Sequence, residues 1–329
     1  MKKKANVLIT GANGFLGSAL VRQLTQQFNV KTLIRKTSDL TNLKGQAVEV
    51  VEGDLRDKDS LIRACKDIEV VFHAAADYRL WVRHPRDLYE SNVTGTKNMI
   101  EAAYRSNVKK LVYTSSVATL GTNQNGSPAN EETPVAIEQM IGHYKKSKFL
   151  AEEAVLSFFK KTQFPIIIVN PSTPIGPRDI KPTPTGRMIK DAANQLIPAY
   201  VNTGLNLVHV DDVAIGHLLA LKHGVPGRKY ILGGEDYSLF EILKTVAQIQ
   251  GAKEPMIQLN RHILYPFAWL WELFASLFNL KEPLLTVDGL KMASKKMYFS
   301  SERAKKELFY TYRDPKQGII DAINWFSAN

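Results

Sequence analysis

A glycine-rich turn close to the first residue restricts the fold of this chain more than any other feature. The stretch NVLITGANGFLGSAL places an apolar run, predicted as a strand, directly before Gly11, Gly14 and Gly17, and a helical pattern covers 15 to 28. Glycine permits a tight turn, lets backbone N–H groups approach a pyrophosphate and lets the helix pack on the strand. The phosphates then lie at the positive end of the helix. The pattern therefore predicts a dinucleotide-binding βαβ unit. The other residues of this turn that we expect around the cofactor are Asn13, Phe15 and Leu16.

The first half of the chain alternates short apolar runs with helical patterns. The predicted strands are NVLIT, VKTLIR, AVEVV, EVVFH, KLVYTS and PIIIVN, and the predicted helices cover 15 to 28, 57 to 66, 86 to 106 and 143 to 161. Strands such as IIIV and EVV lack a polar face. Apolar strands between helices are typical of a parallel sheet that is covered on both sides. We therefore predict an α/β fold with a Rossmann-type doubly wound parallel sheet.

A change of composition after Asn170 predicts where a second lobe begins. The stretch NPSTPIGPRDIKPTPTG is rich in Pro, Gly and Thr and cannot continue a central strand or a helix. The chain then returns to the sheet through NLVHV, a helix over 211 to 223 and KYILGG, before a helix over 238 to 250 and a helical tail. The predicted cofactor domain comprises 1–172 with 206–234. A smaller, mostly helical substrate lobe comprises 173–205 with 235–329.

Composition excludes some classes of function. The 329 residues include one cysteine, Cys65, so the sequence predicts neither a disulfide framework nor a metal site, and it fits a reducing cytoplasm. The formal net charge of +11 favours anionic partners such as cofactors or membrane surfaces. Because no basic block or aromatic ladder is present, we expect no nucleic-acid partner.

The end of the second predicted strand indicates which dinucleotide binds. Arg35 lies there, followed by Lys36, where an acidic residue would hydrogen-bond the adenosine ribose of NAD. Arginine instead matches a 2′-phosphate, so the sequence favours NADP, with NAD and a solvated strand end as the alternatives. Asp54, which follows the third strand, is expected near the adenine. Small residues after the fourth strand, Ala74, Ala75 and Ala76, would let the cofactor lie against the sheet.

A tyrosine and a lysine share one face of a predicted helix. Tyr144 and Lys148 are separated by four residues in GHYKKSKFLAEEA, and Ala151 and Val155 continue their stripe. A free phenol has a pKa of about 10. A nearby ammonium lowers that pKa, so Tyr144 can exchange a proton with a substrate while a hydride moves to or from the cofactor. The alternative interpretation is a solvated, lysine-rich helix face.

Two further observations bear on this pair. Tyr312 and Lys316 have the same spacing, but Asp314-Pro315 between them breaks helical geometry, so they serve as an internal control. In LVYTSSVATLG, Ser116, or else Ser115, ends the fifth strand and can donate a hydrogen bond to a developing oxyanion. A turn or helix cap is the ordinary role of such serines.

Nine motifs carry a family resemblance that covers nearly the whole chain. They are GANGFLG, EGDLRD, HAAADYRLW, SNVTGT, YTSSVATLG, HYKKSK, NPSTPIGPRDIKPTPTGR, LVHVDDVA and YILGG. In this order they resemble the extended short-chain dehydrogenase/reductase superfamily, and in particular its hopanoid-associated sugar epimerase family, a relative of dihydroflavonol 4-reductase. The resemblance implies a catalytic triad of Ser116, Tyr144 and Lys148. It implies cofactor contacts from Gly11, Gly14, Gly17, Arg35, Asp54, Leu55, Ala74, Asn170 and Pro171, with Tyr144 and Lys148 reaching the ribose.

Other matched positions have structural alternatives. Asn92 in SNVTGT corresponds to an asparagine that supports the family's active site, although a helix-packing role fits equally. His209, Asp211 and Asp212 match a family signature, but Asp211 also fits the N-cap of the helix that follows.

One departure from the family pattern concerns the substrate. Nucleotide-sugar epimerases of the superfamily usually have an Arg-Asp pair just before this signature, where the chain has Leu205-Asn206. Losing that anion contact disfavours a nucleotide-sugar substrate. We therefore expect an NADP-preferring oxidoreductase acting on a hydroxyl or carbonyl of a hydrophobic or polyol-bearing small molecule, within hopanoid metabolism as the resemblance implies. The alternatives are an NAD-dependent sugar epimerase or dehydratase and a non-catalytic dinucleotide-binding sensor.

The apolar stretch ILYPFAWLWELFASLF, residues 263–278, has three interpretations. It is shorter than the roughly 20 residues that span a bilayer. It could be a helix packed inside the substrate lobe, a lid over a hydrophobic substrate, or an interfacial helix in peripheral membrane contact. The candidates for the substrate pocket are Tyr78, Trp81 and Ser172. The resemblance also allows a homodimer that pairs through the helices at 86–106 and 143–161.

Overall fold

The structure is a computed structural model, and it describes residues 4–278 and 285–329. Its strands are β1 Asn6–Thr10, β2 Asn29–Ile34, β3 Val48–Glu52, β4 Val70–His73, β5 Lys110–Thr114, β6 Ile166–Pro171, β7 Thr173–Ile175, β8 Ala199–Val201, β9 Gly204–His209, β10 Lys229–Leu232, β11 Glu235–Ser238, β12 Ile257–Leu259 and β13 Lys296–Met297. Its α-helices are α1 Phe15–Leu24, α2 Lys58–Ala64, α3 Pro85–Tyr89, α4 Gly95–Arg105, α5 Gly142–Thr162, α6 Pro184–Ala193, α7 Val210–His223, α8 Leu239–Gln250, α9 Arg261–Leu277, α10 Val287–Met292, α11 Glu302–Leu308 and α12 Pro315–Ala328.

The main sheet has seven strands in the order β10-β6-β5-β4-β1-β2-β3, and every neighbouring pair is parallel. The strand order reverses between β1 and β4. In such sheets a ligand binds at the carboxyl ends of the strands next to this reversal. The predicted Rossmann-type α/β fold is confirmed.

Alternation along the strands explains the two helix layers. In β1, Val7 and Ile9 point into one buried apolar cluster and Leu8 points into another. The first cluster is completed by α1, α7 and α11, and the second by α2, α4 and α5. Because both faces are covered, the central strand β6 is buried over its whole length.

The edge strand β3 differs from the prediction. The run EVV lacks a polar residue on one face, yet Val50 is half-exposed and Glu49 and Glu52 are exposed. β3 pairs with β2 alone, so its outer side faces solvent. A short apolar run could not distinguish a central from an edge strand.

The helix predicted over 86 to 106 is interrupted. α3 ends at Tyr89, a π-helical segment covers Glu90–Thr94, and α4 follows from Gly95. Asn92, within the π-helical segment, is buried. Such segments are frequent at functional sites because they redirect one side chain without ending the helix.

The second lobe contains short strands as well as helices. β9 pairs with β7, β11 and β13 in a small mixed sheet, and β12 pairs with β8. The predicted return of NLVHV to the main sheet is therefore wrong, because β9 builds this second sheet and the return takes place at β10. Helices α6, α8 and α12 pack with the small sheet around their own apolar cluster.

The start of α7 corrects a second detail. Its N-cap is His209, whose ring nitrogen accepts the backbone N–H of Asp211 at 3.0 Å. Asp211 lies in the first turn and forms an ion pair with Arg22 of α1 at 2.9 Å. The proposed capping role of Asp211 is therefore wrong, and its carboxylate joins two helices instead.

The apolar stretch 263–278 forms most of α9, but it is not packed inside the lobe. Ala268 and Ala275 are buried, whereas the large side chains Phe267, Leu270 and Phe274 are about half-exposed or more. The expectation of a buried helix is therefore wrong. In the part of the chain that the structure describes, no helix has the length and apolarity needed to cross a membrane.

Candidate functional site

The glycine turn lies at the carboxyl end of β1, at the strand-order reversal. Gly11 has φ of +73°, which favours glycine, and a Cβ there would approach the backbone of Ala75 to 2.7 Å. A Cβ on Gly17 would collide with the carbonyl of Gly11. The turn is closed by a hydrogen bond from Gly14 N to Gly11 O of 3.0 Å. Helix α1 has neither a side-chain cap nor an acidic residue in its first turn, so its N–H groups are available to an anion.

The residues around this turn fix its shape. Asn13 donates to the carbonyl of Asp39 at 3.0 Å, and Asn42 donates to the carbonyl of Asn13 at 3.3 Å. Phe15 and Leu16 pack against the apolar cluster under α1. The structure thus brings the predicted residues together at the start of α1.

The adenosine end of the site follows β2 and β3. Arg35 is exposed at the end of β2, and its positive charge contributes to lowering the pKa of Asp54. The larger cause is the hydrogen bond with Arg56, which holds the Asp54 carboxylate at 2.9 and 2.7 Å. Leu55, beside Asp54, accepts from the side chain of Asn98 at 2.9 Å. Arg35 is therefore positioned to meet a charged group, whereas the Asp54 carboxylate is already paired.

The small residues Ala74, Ala75 and Ala76 continue from β4 beneath the glycine turn. Ala75 N donates to the Thr10 hydroxyl at 3.2 Å, and this hydroxyl pairs with Nδ1 of His73 at 2.7 Å. Burial and, to a smaller extent, the charge of Lys148 lower the pKa of His73 to about 3. His73 is therefore neutral and structural.

Asn92 holds the segment that follows these alanines. Its side-chain oxygen accepts from Asp77 N at 2.7 Å, and its nitrogen donates to Asp77 O at 2.8 Å and to the Ser147 hydroxyl at 2.9 Å. The π-helical segment thus links the loop after β4 to α5. This contact fits both roles considered for Asn92, because it packs the helix and also holds the loop after β4.

Tyr144 lies in the first turn of α5, next to the serine after β5. Burial raises the pKa of Tyr144 above its ordinary value, a hydrogen bond with the Ser116 side chain opposes this shift, and the negative charge of Asp77 adds to it. Ser115 is excluded from this role, because it is buried and donates to Glu152. Ser116 is therefore the serine next to the Tyr144 phenol, and its hydroxyl also accepts the N–H of Ala118 at 3.1 Å, as in the ordinary capping role.

Lys148 is 3% exposed, which agrees with its predicted inward direction. Its ammonium donates to the Thr114 carbonyl at 2.9 Å and to the Tyr113 hydroxyl at 3.4 Å. Burial lowers the pKa of Lys148 to about 8, and the charge of Glu152 opposes that shift. The expected lowering of the Tyr144 pKa by Lys148 is wrong for the protein alone, since burial of the phenol dominates.

Sequence reasoning missed Glu152, which lies one helical turn beyond Lys148. Its carboxylate accepts from Thr119 at 2.9 Å and from Asn170 at 2.8 Å, and it forms an ion pair with Lys229 of β10 at 2.6 Å. Asn170 and Thr119 also hold the carbonyl of Ser116, at 3.0 and 2.8 Å. Glu152 therefore clamps α5 to the turn that carries Ser116. The signal available in the sequence was its place on the inward stripe of Lys148 and Val155.

The end of β6 supplies polar atoms with unused hydrogen-bonding capacity. Asn170, Pro171 and Ser172 are buried, and Asn170 Oδ1 and Ser172 Oγ have no hydrogen-bond partner among the described residues. Buried polar atoms without a partner are rare in native proteins unless a ligand or water satisfies them. They lie at the carboxyl end of a strand next to β5, as expected for the nicotinamide half of a dinucleotide. Together with the glycine turn, they fit an NAD(P) cofactor.

The two aromatic residues predicted to line the substrate pocket, Tyr78 and Trp81, make contacts with different parts of the molecule. Tyr78 donates its hydroxyl to the carbonyl of Lys181 at 3.1 Å. Trp81 instead lines a cleft of about 560 Å³ together with Trp269 and Leu273 of α9. Arg83 donates to the carbonyl of Ala275 at 2.7 Å, which attaches this loop to α9.

The residues at the signature before α7 have structural roles. Asn206 is buried and donates to Asp236 at 2.7 Å and to the carbonyl of Phe299 at 3.0 Å. Asp212 accepts a two-pronged contact from Arg313, at 3.0 and 2.8 Å. The control pair behaves as predicted, because Asp314 caps α12 and Tyr312 precedes that helix while Lys316 lies inside it.

Comparison with known proteins identifies the family. The model of the NAD dependent epimerase/dehydratase family matches residues 7–233. A protein named "Putative dihydroflavonol 4-reductase" from Synechocystis sp. is 42% identical over 97% of this chain and 93% of its own length. The sterol demethylase protein B of Methylococcus capsulatus is 30% identical, with 97% of both chains covered.

A solved structure agrees over the same span. The crystal structure of gox2253 has a TM-score of 0.88 and 50% identity, and it covers 98% of each chain. The resemblance inferred from the motifs is therefore confirmed. The chain belongs to the NAD-dependent epimerase/dehydratase family of extended short-chain dehydrogenases/reductases, and it is an NAD(P)-dependent enzyme of that superfamily with a small-molecule substrate.

Proposed function

We propose that the protein is an NADP-preferring oxidoreductase that transfers a hydride at a hydroxyl or carbonyl of a hydrophobic substrate. The observation that carries the cofactor preference is Arg35, exposed at the end of β2 beside a glycine turn that fits a dinucleotide. A planar guanidinium matches a 2′-phosphate bidentately. The negative charge that would favour a ribose hydroxyl is absent at this position, and the nearby Asp54 is paired with Arg56.

Three side chains act on the substrate in this proposal. Tyr144 exchanges a proton with the substrate oxygen, and Ser116 donates a hydrogen bond to the same oxygen as charge develops. Lys148 holds its ammonium below them at the end of β5. When bound, the nicotinamide supplies the hydride chemistry and, in its oxidised form, a positive charge that favours the phenolate of Tyr144.

The small sheet argues for a reductase over a sugar epimerase. Leu205 packs in the apolar cluster of the second lobe, and Asn206 uses its amide to hold β11 and the end of β13. Neither side chain is available to bind a diphosphate. We infer that a nucleotide sugar is not the substrate.

A hydrophobic substrate is favoured by the cleft between the loop after β4 and α9. Trp81, Trp269 and Leu273 give this cleft an apolar part, which adjoins the polar side chains of Arg83, His84 and Glu272. A relative is named for sterol demethylation, which supports a polycyclic, isoprenoid-like molecule for this chain too. We propose a role in hopanoid metabolism in the cytoplasm on this basis.

The cofactor preference can be tested by titrating NADPH and NADH against the protein while following nicotinamide fluorescence. We expect wild-type protein to bind NADPH at least about tenfold more tightly, and Arg35→Glu to lose that difference, since one charge-assisted contact is removed and a repulsive charge added. Arg63→Glu on α2 makes the same charge change on an exposed helix face and serves as the control. Equal affinities in wild-type protein would contradict the proposal.

The reaction type needs a second measurement. A reductase oxidises NADPH in proportion to product formed with ketones of hydrophobic, polycyclic structure. An epimerase would convert substrate without net change in cofactor absorbance, and a sensor would bind the dinucleotide without converting any substrate. Net NADPH oxidation that disappears in Tyr144→Phe supports the proposal over both alternatives.

A further inference from the structure

The solvent side of α9 is an apolar stripe. Five large side chains recur at helical spacing along this side and are 49% to 72% exposed: Ile263, Phe267, Leu270, Phe274 and Leu277. A helix on a water-soluble surface normally turns its charged residues outward and its apolar residues inward. In α9 the outward side is the apolar one, so water is an unfavourable neighbour for it.

The inward side of the same helix confirms this inversion. Small residues, Ala268 and Ala275, are the buried ones. The acidic residue of α9, Glu272, turns toward α10 and accepts the backbone N–H of Val287 at 2.9 Å. The outward stripe therefore carries neither a charge nor a hydrogen-bonding group that could set the register of a protein partner.

Tryptophans border the stripe. Trp269 and Trp271 are 59% and 42% exposed on its two flanks. Indole rings prefer the headgroup level of a bilayer because they are apolar with one polar N–H. With 17 residues, α9 is roughly 25 Å long at 1.5 Å per residue, which is shorter than the hydrocarbon core of about 30 Å that a crossing helix must span.

The charge around α9 favours anionic lipid. Arg261 and His262 open the helix, and residues 255–271 contain no Asp or Glu. Lys291 of the packed helix α10 is about half-exposed and pairs with Asp288 at 3.6 Å, so the local positive charge comes mainly from the start of α9. The whole chain has a net charge of +11, which attracts an anionic surface, whereas a second copy would bring the same charge.

We propose that the outward face of α9 docks the protein on an anionic lipid bilayer. The docking does not depend on the proposed reaction, but it adds to that proposal the source from which the substrate reaches the protein. Trp269 belongs to the docking helix and also lines the cleft with Trp81, whose loop leads back to the cofactor-binding alanines. A bilayer-dissolved substrate thus enters the cleft directly from the membrane.

The test is co-sedimentation of the full chain with vesicles, which needs no substrate. Vesicles of phosphatidylcholine mixed with phosphatidylglycerol are compared with phosphatidylcholine alone. We expect binding to the mixed vesicles that weakens as salt is added. The double variant Phe267→Ser/Leu270→Ser should bind at least about tenfold more weakly, since two exposed apolar side chains are removed.

A matched double variant, Leu196→Ser/Phe309→Ser, removes an equally exposed leucine and phenylalanine elsewhere on the surface and should bind as wild type does. Unchanged binding by Phe267→Ser/Leu270→Ser, or no wild-type binding to either vesicle, would overturn the docking. So would light scattering that shows a wild-type dimer and a monomeric Phe267→Ser/Leu270→Ser protein, because a second copy would then cover the face. If wild-type protein binds the mixed vesicles but shows no reductase activity, the proposed function is refuted and the docking is not.

Discussion

The carboxyl edge of the main sheet and the surface helix α9 differ in which side chains they bury. The sheet edge buries charged side chains, whereas α9 exposes apolar ones. At the sheet edge, Lys148 and Glu152 are charged yet nearly fully buried, and each has several hydrogen-bonding partners. On α9, Phe267 and Leu270 are apolar yet exposed, and among residues 4–278 and 285–329 no element covers them. Both arrangements cost free energy in an isolated protein, since buried charge is desolvated and exposed apolar surface is hydrated. Each therefore indicates a ligand, a dinucleotide and substrate in the first case and a surface in the second.

Removing the hydroxyl of Tyr144 should have the largest effect on activity. We expect Tyr144→Phe to lower kcat by about 10² to 10⁴-fold and to weaken NADPH binding far less, because general acid catalysis is lost whereas the glycine turn is untouched. Steady-state kinetics and cofactor titration measure the two quantities. Tyr104→Phe on exposed α4 is the control. A fully active Tyr144→Phe protein would remove this phenol from the mechanism.

Neutralising Glu152 should have a large effect on stability. Glu152→Gln leaves Lys229 without its carboxylate, and we expect a loss of about 3 kcal/mol in the free energy of unfolding, as for other buried pairs that lose one partner. Glu272→Gln provides the comparison on α9, since glutamine can still accept the N–H of Val287. It should cost less than about 0.5 kcal/mol. Urea denaturation measures both, and equal losses would show that the two carboxylates do not differ as the structure indicates.

The sequence predicted those parts of the molecule that depend on local patterns. The glycine turn and the strand and helix alternation follow from neighbouring residues, so β1, α1 and α5 were placed within a few residues. Tyr144 and Lys148 were placed correctly relative to each other because one helical turn joins them.

Contacts between distant segments could not be predicted from one sequence. Asp211 was expected to cap a helix but pairs with Arg22, 189 positions away. Glu152 stands beside Glu153, a pair typical of a solvated helix face, and its role depends on Asn170 and Lys229 from two other strands. The side of α9 that faces solvent could not be predicted either, because an apolar run does not reveal what covers it.

Two buried histidines near the sheet should make stability depend on pH. Burial lowers the pKa of His73 to about 3 and of His217 to about 4, while the unfolded chain titrates near 6.5. The unfolded state therefore binds more protons below pH 6.5. The stability that each histidine contributes is complete above that pH and falls by at most about 1.4 kcal/mol per pH unit until its folded pKa is reached.

Comparing wild type with a histidine variant separates the contribution of that histidine to the pH dependence from that of the buried carboxyl groups, which both proteins share. His217→Gln should show a shallower decline in unfolding free energy between about pH 6 and pH 4 than wild type, measured by urea denaturation at each pH. Parallel curves would mean that His217 has the same pKa in the folded and the unfolded chain, and the lowered pKa would then be wrong.

The smallest effect on the free energy of unfolding is expected on α9. Phe267→Ser should change the free energy of unfolding by less than about 0.5 kcal/mol, because the ring is already 60% exposed and the folded protein gains little from it. The same substitution at fully buried Phe72 of β4 should cost at least about 3 kcal/mol, through lost apolar burial and a cavity. Thermal or urea unfolding measures both. A large loss at Phe267 would mean that its ring stabilises the folded chain itself, and a purely external role for the apolar stripe would then be wrong. A negligible loss at Phe267 together with a large one at Phe72 would show that the exposed stripe of α9 is dispensable for folding, which leaves binding as the reason for its composition.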